Sequence, residues 1–212
     1  MEELVTLRDG PVTLEGNLNI PPGARGLVLF AHGSGSSRHS PRNVFVANVL
    51  NEAGLGTLLF DLLTRNEDAI YQSRFDVDHL TGRLMVATRW AQEQKLTAKM
   101  NIGYFGASTG AAAALKATAR LQNEIRAVVS RGGRPDLAGP ELHFVSAPVL
   151  LIVGGDDDVV IGLNREAYVK LGGLKKMVIV PGASHLFEEP GTLEEVARLA
   201  AEWFTLHLGV SS

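Results

Sequence analysis

The chain holds 212 residues, 45% hydrophobic and 20% charged, with 20 Lys and Arg against 23 Asp and Glu for a formal charge of -3. Such a length suits one domain with a real core, the apolar share excludes a disordered chain, and the lack of a basic excess argues against nucleic acid as the main partner. No cysteine is present, which excludes disulfides, iron–sulfur clusters, Cys-based zinc sites and a thiol nucleophile, so a covalent nucleophile would be a hydroxyl, a carboxylate or an amine.

The amino end, Met1-Glu2-Glu3-Leu4, is acidic where a secretory signal would be basic. No apolar run approaches the ~18 residues of a membrane span, so a cytoplasmic protein with no membrane partner is expected. Residues 5–8 and 12–19 alternate around Asp9-Gly10-Pro11 and predict an antiparallel hairpin. Continuous apolar runs follow at 26–31, 56–60, 101–105, 127–130, 149–153 and 177–180, as expected of strands covered on both faces. Helical stretches at 45–51, 80–94, 111–121, 163–171 and 193–208 lie between them. This alternation predicts one α/β domain over 1–212: a mostly parallel twisted sheet with an amino-terminal hairpin and helices on both faces.

Ligands of an open parallel sheet sit beyond the carboxyl ends of its strands, so the residues just after each run carry the chemistry. After 101–105 comes Gly106-Ala107-Ser108-Thr109-Gly110, a G-x-S-x-G pattern between an apolar strand and an Ala-rich helix. A strand turning at once into a helix strains its central residue and exposes its hydroxyl above the sheet, which only small neighbours permit. A capping serine or threonine in a small-residue turn would leave the same five residues, so the rest of the chain has to decide. A serine nucleophile needs a base, and the base an orienting acid. Asp156-Asp157-Asp158 follows 149–153 and His185 follows 177–180, giving the order Ser, Asp, His. The three acids lack the spacing of a calcium loop, and no H-E-x-x-H pattern occurs, so neither a metal nor another cofactor is expected.

On the His32-Gly33 turn, the Ser108 elbow, Gly154-x-x-Asp157-x-x-Val160 and the Gly182-x-x-His185 loop, the chain resembles the α/β-hydrolase superfamily. Within it, the chain is similar to small capless members of the dienelactone-hydrolase-like branch, with serine where dienelactone hydrolases proper carry cysteine. The likeness runs over nearly the whole chain and implies an α/β-hydrolase fold without a cap domain. It also implies a serine hydrolase acting on a small carboxylic ester through Ser108, His185 and Asp157 and an acyl-enzyme. Thioesters, lactones and acyl transfer would use the same machinery. The oxyanion donors would be the N–H of Thr109, directly after the nucleophile, and that of Ser34. His32 is expected to shape its loop, and His39, His79, His143 and His207 to be surface or satisfied polar positions.

Arg131 could bind a substrate carboxylate in bidentate fashion. A surface guanidinium paired to Asp136 or Glu141 is the commoner outcome for such a residue. Residues 131–148 are short and rich in Gly and Pro, leaving room for at most a brief helix and pointing to short acyl chains. Two rivals stand beside the hydrolase. A hydrolase-fold protein without catalysis would be a receptor or scaffold. A dinucleotide-binding protein would use Gly33-Ser34-Gly35 and Asp61, although Arg38 occupies the third glycine position of that fingerprint.

Overall fold

A computed structural model describes residues 2–209. Eight strands form one sheet in the order β1-β2-β4-β3-β5-β6-β7-β8. The hairpin of β1 (Glu2–Asp9) and β2 (Val12–Asn19) is antiparallel, and β2 also runs antiparallel to β4 (Gly56–Phe60). From β3 (Gly26–Ala31) through β5 (Asn101–Ala107), β6 (Ile125–Arg131), β7 (Val149–Gly154) and β8 (Lys175–Val180), neighbouring strands are parallel. Each predicted apolar run is one of these strands. The runs of β3, β4 and β7 are buried at every position, the mark of strands covered on both faces. β8 closes the sheet as an edge and is buried mainly at Val180.

The helices divide between the two faces. α1 (Pro41–Glu52) and α6 (Thr192–Leu208) pack through Val46, Leu50, Val196, Ala200 and Phe204 against Val28, Phe30, Phe105 and Val129. On the opposite face α3 (Val77–Glu93), α4 (Thr109–Leu121) and α5 (Asp158–Lys170) cover Leu27, Leu29, Tyr104, Val128 and Leu151. α4 is buried from Thr109 to Ala119, and its run of alanines lets the helix lie close to the sheet.

The helix starts lie earlier than the apolar periodicity implies. α1 begins at Pro41 because Ser40 caps it, its hydroxyl accepting from the Asn43 amide, and proline suits the first helical position. Residues 61–76 are not a plain loop: the short helix α2 (Arg65–Asp68) is closed by a Thr64–Glu67 capping box and followed by a 3-10 turn, Tyr71–Phe75. Between β6 and β7 the chain makes only a 3-10 stretch, Pro135–Phe144, broken at Gly139. Among the described residues no helical cap is inserted there, and no helix is long and apolar enough to cross a membrane.

The strand order sets the site. From β3 the chain passes through α1 to β4 on one side, then crosses back through α3 to β5 on the other. The loops leaving the carboxyl ends of β3 and β5 therefore diverge and open a crevice between them.

Candidate active site

Ser108 stands at that crevice with φ 50° and ψ −121°, between the end of β5 and the first residue of α4. A positive φ on a serine costs on the order of 1–3 kcal/mol and persists only where the surroundings over-determine it. Here its N–H donates to the Arg131 carbonyl at 3.3 Å, and its carbonyl accepts from the amides of Ala111 and Arg134, both at 3.1 Å. The flanking glycines are steric necessities. A Cβ on Gly106 would lie 2.4 Å from Ala111 Cα, and one on Gly110 would lie 2.1 Å from the Ala31 carbonyl oxygen. Although Ser108 occupies the N-cap position of α4, its side chain makes no capping bond. The capping alternative thus does not describe it.

The Asp157 carboxylate meets the imidazole directly, with 2.7 Å between His185 Nδ1 and Asp157 Oδ2. Asp157 sits at the N-cap position of α5 yet does not cap that helix, leaving its oxygen for the histidine. Neither Asp156 nor Asp158 makes a hydrogen bond to His185 among the described residues; Asp158 is the first residue of α5, at its positive end. Ser108 and His185 line one cleft of about 240 Å³ together with Ser34, Arg42, Asn43 and Arg131. No hydrogen bond joins Ser108 to His185 among the described residues, and nucleophile–base contacts of this kind tighten when substrate docks.

The first-strand loop is organised by His32. Its Nε2 accepts from the Leu62 amide at 3.1 Å, so the proton resides on Nδ1, which lies 3.0 Å from the Gly33 carbonyl. Burial holds the ring below its ordinary protonation range, which keeps it neutral and both bonds intact. The Ser34 N–H, expected as an oxyanion donor, donates to the Thr109 hydroxyl at 3.0 Å. The Thr109 side chain therefore reaches the first-strand loop. Sequence reading missed this contact because 75 positions separate the two residues. His207 departs from the surface-or-satisfied expectation: it lies edge-on to Trp203, and its Nε2 is buried without a hydrogen-bond partner among the described residues.

Arg131 departs from the surface-ion-pair expectation. Asp136 pairs with Arg134, Glu141 pairs with Arg120 and Lys116, and Arg131 itself is 7% exposed. It is buried because Leu186 and Phe187 fold back over it, the Phe187 ring centroid lying 5.9 Å from its guanidinium carbon.

The features that imitated a dinucleotide fingerprint bind one another. Arg38, at the third glycine position, holds the Asp61 carboxylate through both its amide and its guanidinium, and reaches Glu15 at 2.5 Å. Asp61 is thereby occupied where a ribose-binding acid would have to be free. These residues, with Ser37 and His39, line a larger hollow of about 490 Å³, which Ser108 does not line.

No protein-family model matches the chain. A dienelactone hydrolase from Anabaena variabilis, known from a crystal structure, is 55% identical and superposes with a TM-score of 0.95 over 98% of both chains. A serine hydrolase without a lid from Xanthomonas campestris is 21% identical with a TM-score of 0.76, covering 100% of this chain and 97% of that one. A Mycobacterium tuberculosis H37Rv protein, provisionally named a phosphoribosyl transferase, is 56% identical over 207 residues. That match takes in 98% of this chain and 47% of the mycobacterial protein, so the chain spans about half the length of the curated relative.

Proposed function

This chain belongs to the capless dienelactone-hydrolase-like family of α/β hydrolases, and from that premise we propose that it is a serine hydrolase of carboxylic esters with short acyl chains, working through an acyl-enzyme. The single observation that carries the reading is the 2.7 Å contact of His185 Nδ1 with Asp157 Oδ2, on a cleft that Ser108 and His185 share. An acid in that position fixes the imidazole tautomer, leaving Nε2 free to take a proton, and stabilises the imidazolium that forms.

In the proposed cycle Ser108 Oγ attacks the acyl carbon as His185 Nε2 takes the serine proton. The carbonyl oxygen becomes an oxyanion and accepts from the N–H groups of Thr109 and Ser34. Because the Ser34 N–H is bonded to the Thr109 hydroxyl, the incoming oxygen has to displace that hydroxyl. The tetrahedral adduct then expels the alkoxide, which receives the proton from His185 and leaves as the alcohol, with the acyl group on Ser108. Water, deprotonated by His185, repeats the attack, and the acid departs as Ser108 recovers its proton. The mycobacterial relative's name describes a protein of which the chain matches about half, and it is not carried over to this site.

The test is covalent labelling by a fluorophosphonate, read by intact mass and peptide mapping. One adduct on Ser108 is expected, absent from Ser108→Ala. A folded protein that takes no adduct, or takes it elsewhere, would overturn the reading.

A further inference from the structure

We propose that the hollow around Arg38 and Asp61 holds the alcohol half of the substrate, and that this alcohol is an uncharged, polyhydroxylated group of the sugar type. The preferred substrate is then a short acyl ester of a polyol. This rests on the hydrolase reading and names the leaving group of that same site.

Position is the first observation. The hollow measures about 490 Å³, within the range of small-ligand pockets, against about 240 Å³ for the cleft that holds Ser108 and His185. Ser36 lines both, so the two spaces meet at that residue. An acyl carbon placed at Ser108 carries two substituents besides its carbonyl oxygen. The smaller space suits a short acyl group, and the larger one beside it is left for the alcohol.

The chemistry of the wall is the second. The Arg38 guanidinium, 13% exposed, is shared among Asp61, Glu15 and the Asn17 side-chain oxygen, so its charge is balanced inside the wall. Asp68, which also lines the hollow, is paired with Arg74 at 3.1 Å. An anion entering would face three carboxylates, and a cation would face the guanidiniums of Arg38 and Arg65. The wall therefore selects against an ion while remaining polar. Glu15 Oε1 accepts no hydrogen bond, and the Ser36 hydroxyl makes none among the described residues. A paired carboxylate still has lone pairs to offer. Free acceptors and hydroxyl donors in one space match a ligand whose atoms both donate and accept, and that is a set of hydroxyls. Leu14 and Leu63, 2% and 8% exposed, add an apolar patch for the C–H face of such a ligand. An apolar alcohol would strip water from the carboxylates without replacing its hydrogen bonds.

A hollow that only hydrates the Arg38 ion pairs would give no preference among alcohols, and the experiment separates the two. Acetate release is measured from methyl 6-O-acetyl-glucopyranoside and from the acetate of tetrahydropyran-2-methanol, which keeps the ring and lacks its hydroxyls. The expected kcat/KM is about tenfold higher for the glucoside, the worth of one or two net hydrogen bonds. Thr13→Phe places a ring in the hollow and should lower that ratio about tenfold, and Glu15→Gln should lower it less. Should Thr13→Phe not fold, the wild-type comparison and Glu15→Gln decide. Equal rates on the two acetates, or turnover of 4-nitrophenyl butyrate alone, overturn the polyol site and leave the hydrolase reading standing. A glucoside preference that both folded variants keep in full also overturns the hollow as its source. Turnover of none of the three esters overturns the hydrolase reading. Saturation-transfer NMR with methyl glucopyranoside then decides the hollow alone: transfer that Thr13→Phe abolishes supports it, and no transfer overturns it.

Discussion

In the proposed cycle Thr109 would serve twice, its amide donating to the oxyanion while its hydroxyl, which accepts from the Ser34 N–H at 3.0 Å, competes for the second donor. Removing the hydroxyl at constant volume takes away a competitor for the oxyanion. Thr109→Val is accordingly expected to raise kcat on a short ester about two- to tenfold, the worth of one net hydrogen bond. A lower kcat in a variant of unchanged melting temperature would mean that the hydroxyl itself assists the oxyanion. At this scale the sequence was legible wherever a residue type is tied to a local pattern. Ser108 could be read from the small residues around it and His185 from its place after the last strand. The burial of Arg131 could not, because it depends on how residues 186 and 187 fold back from a distant loop.

At the scale of elements, the segment that follows β4 is fastened by Arg83, whose side chain is only 4% exposed on α3. One arm reaches Asp9 at the hairpin turn at 3.0 Å, and the other reaches Glu67 of α2 at 2.6 Å. Glu67 meanwhile closes the capping box through the Thr64 amide at 2.7 Å. The arginine thus joins three elements far apart in sequence. Breaking a buried ion pair costs about 3–5 kcal/mol, less where the acids are partly exposed as these are. Arg83→Met should therefore lower unfolding stability by about 1–3 kcal/mol in urea melts. No loss would mean that the two acids are satisfied by water. The capping box is spelled out in Thr64-x-x-Glu67, but the helix it opens has only four residues, too few to show a hydrophobic period. Helix starts were misplaced for local reasons: α1 opens with Pro41-Arg42-Asn43, which carry no apolar signal, and α5 opens with the consecutive β-branched residues Val159-Val160-Ile161 followed by Gly162, which show no helical period.

For the molecule as a whole, the parallel strands and the helices between them were readable because each strand run is mainly apolar and strand-sized and the stretches between the runs are long enough for helices. Strand order was not readable, since the crossover between β4 and β5 depends on packing that no local pattern records. The connection from β6 to β7 contains only the 3-10 stretch interrupted at Gly139. An open cleft offers little apolar surface to a long acyl chain, so methylenes beyond butyryl should gain little of the usual ~0.8 kcal/mol each. Acetyl to butyryl esters are expected to have the highest kcat/KM of an unbranched series. A steady rise to dodecanoyl would mean that the 70–75 turn, where Ile70, Tyr71 and Phe75 are exposed, closes over the chain.

Whether Ser108 is the nucleophile of an ester hydrolase is decided by the kcat of Ser108→Ala on 4-nitrophenyl butyrate beside the parent protein. Alanine should fit the turn, so folding should be retained and is checked by circular dichroism and melting temperature. Turnover is predicted to fall by about 10³-fold or more, leaving only what the oxyanion donors and binding contribute without a nucleophile. Hydrolysis by the folded variant at the parental rate would show that Ser108 is not the nucleophile.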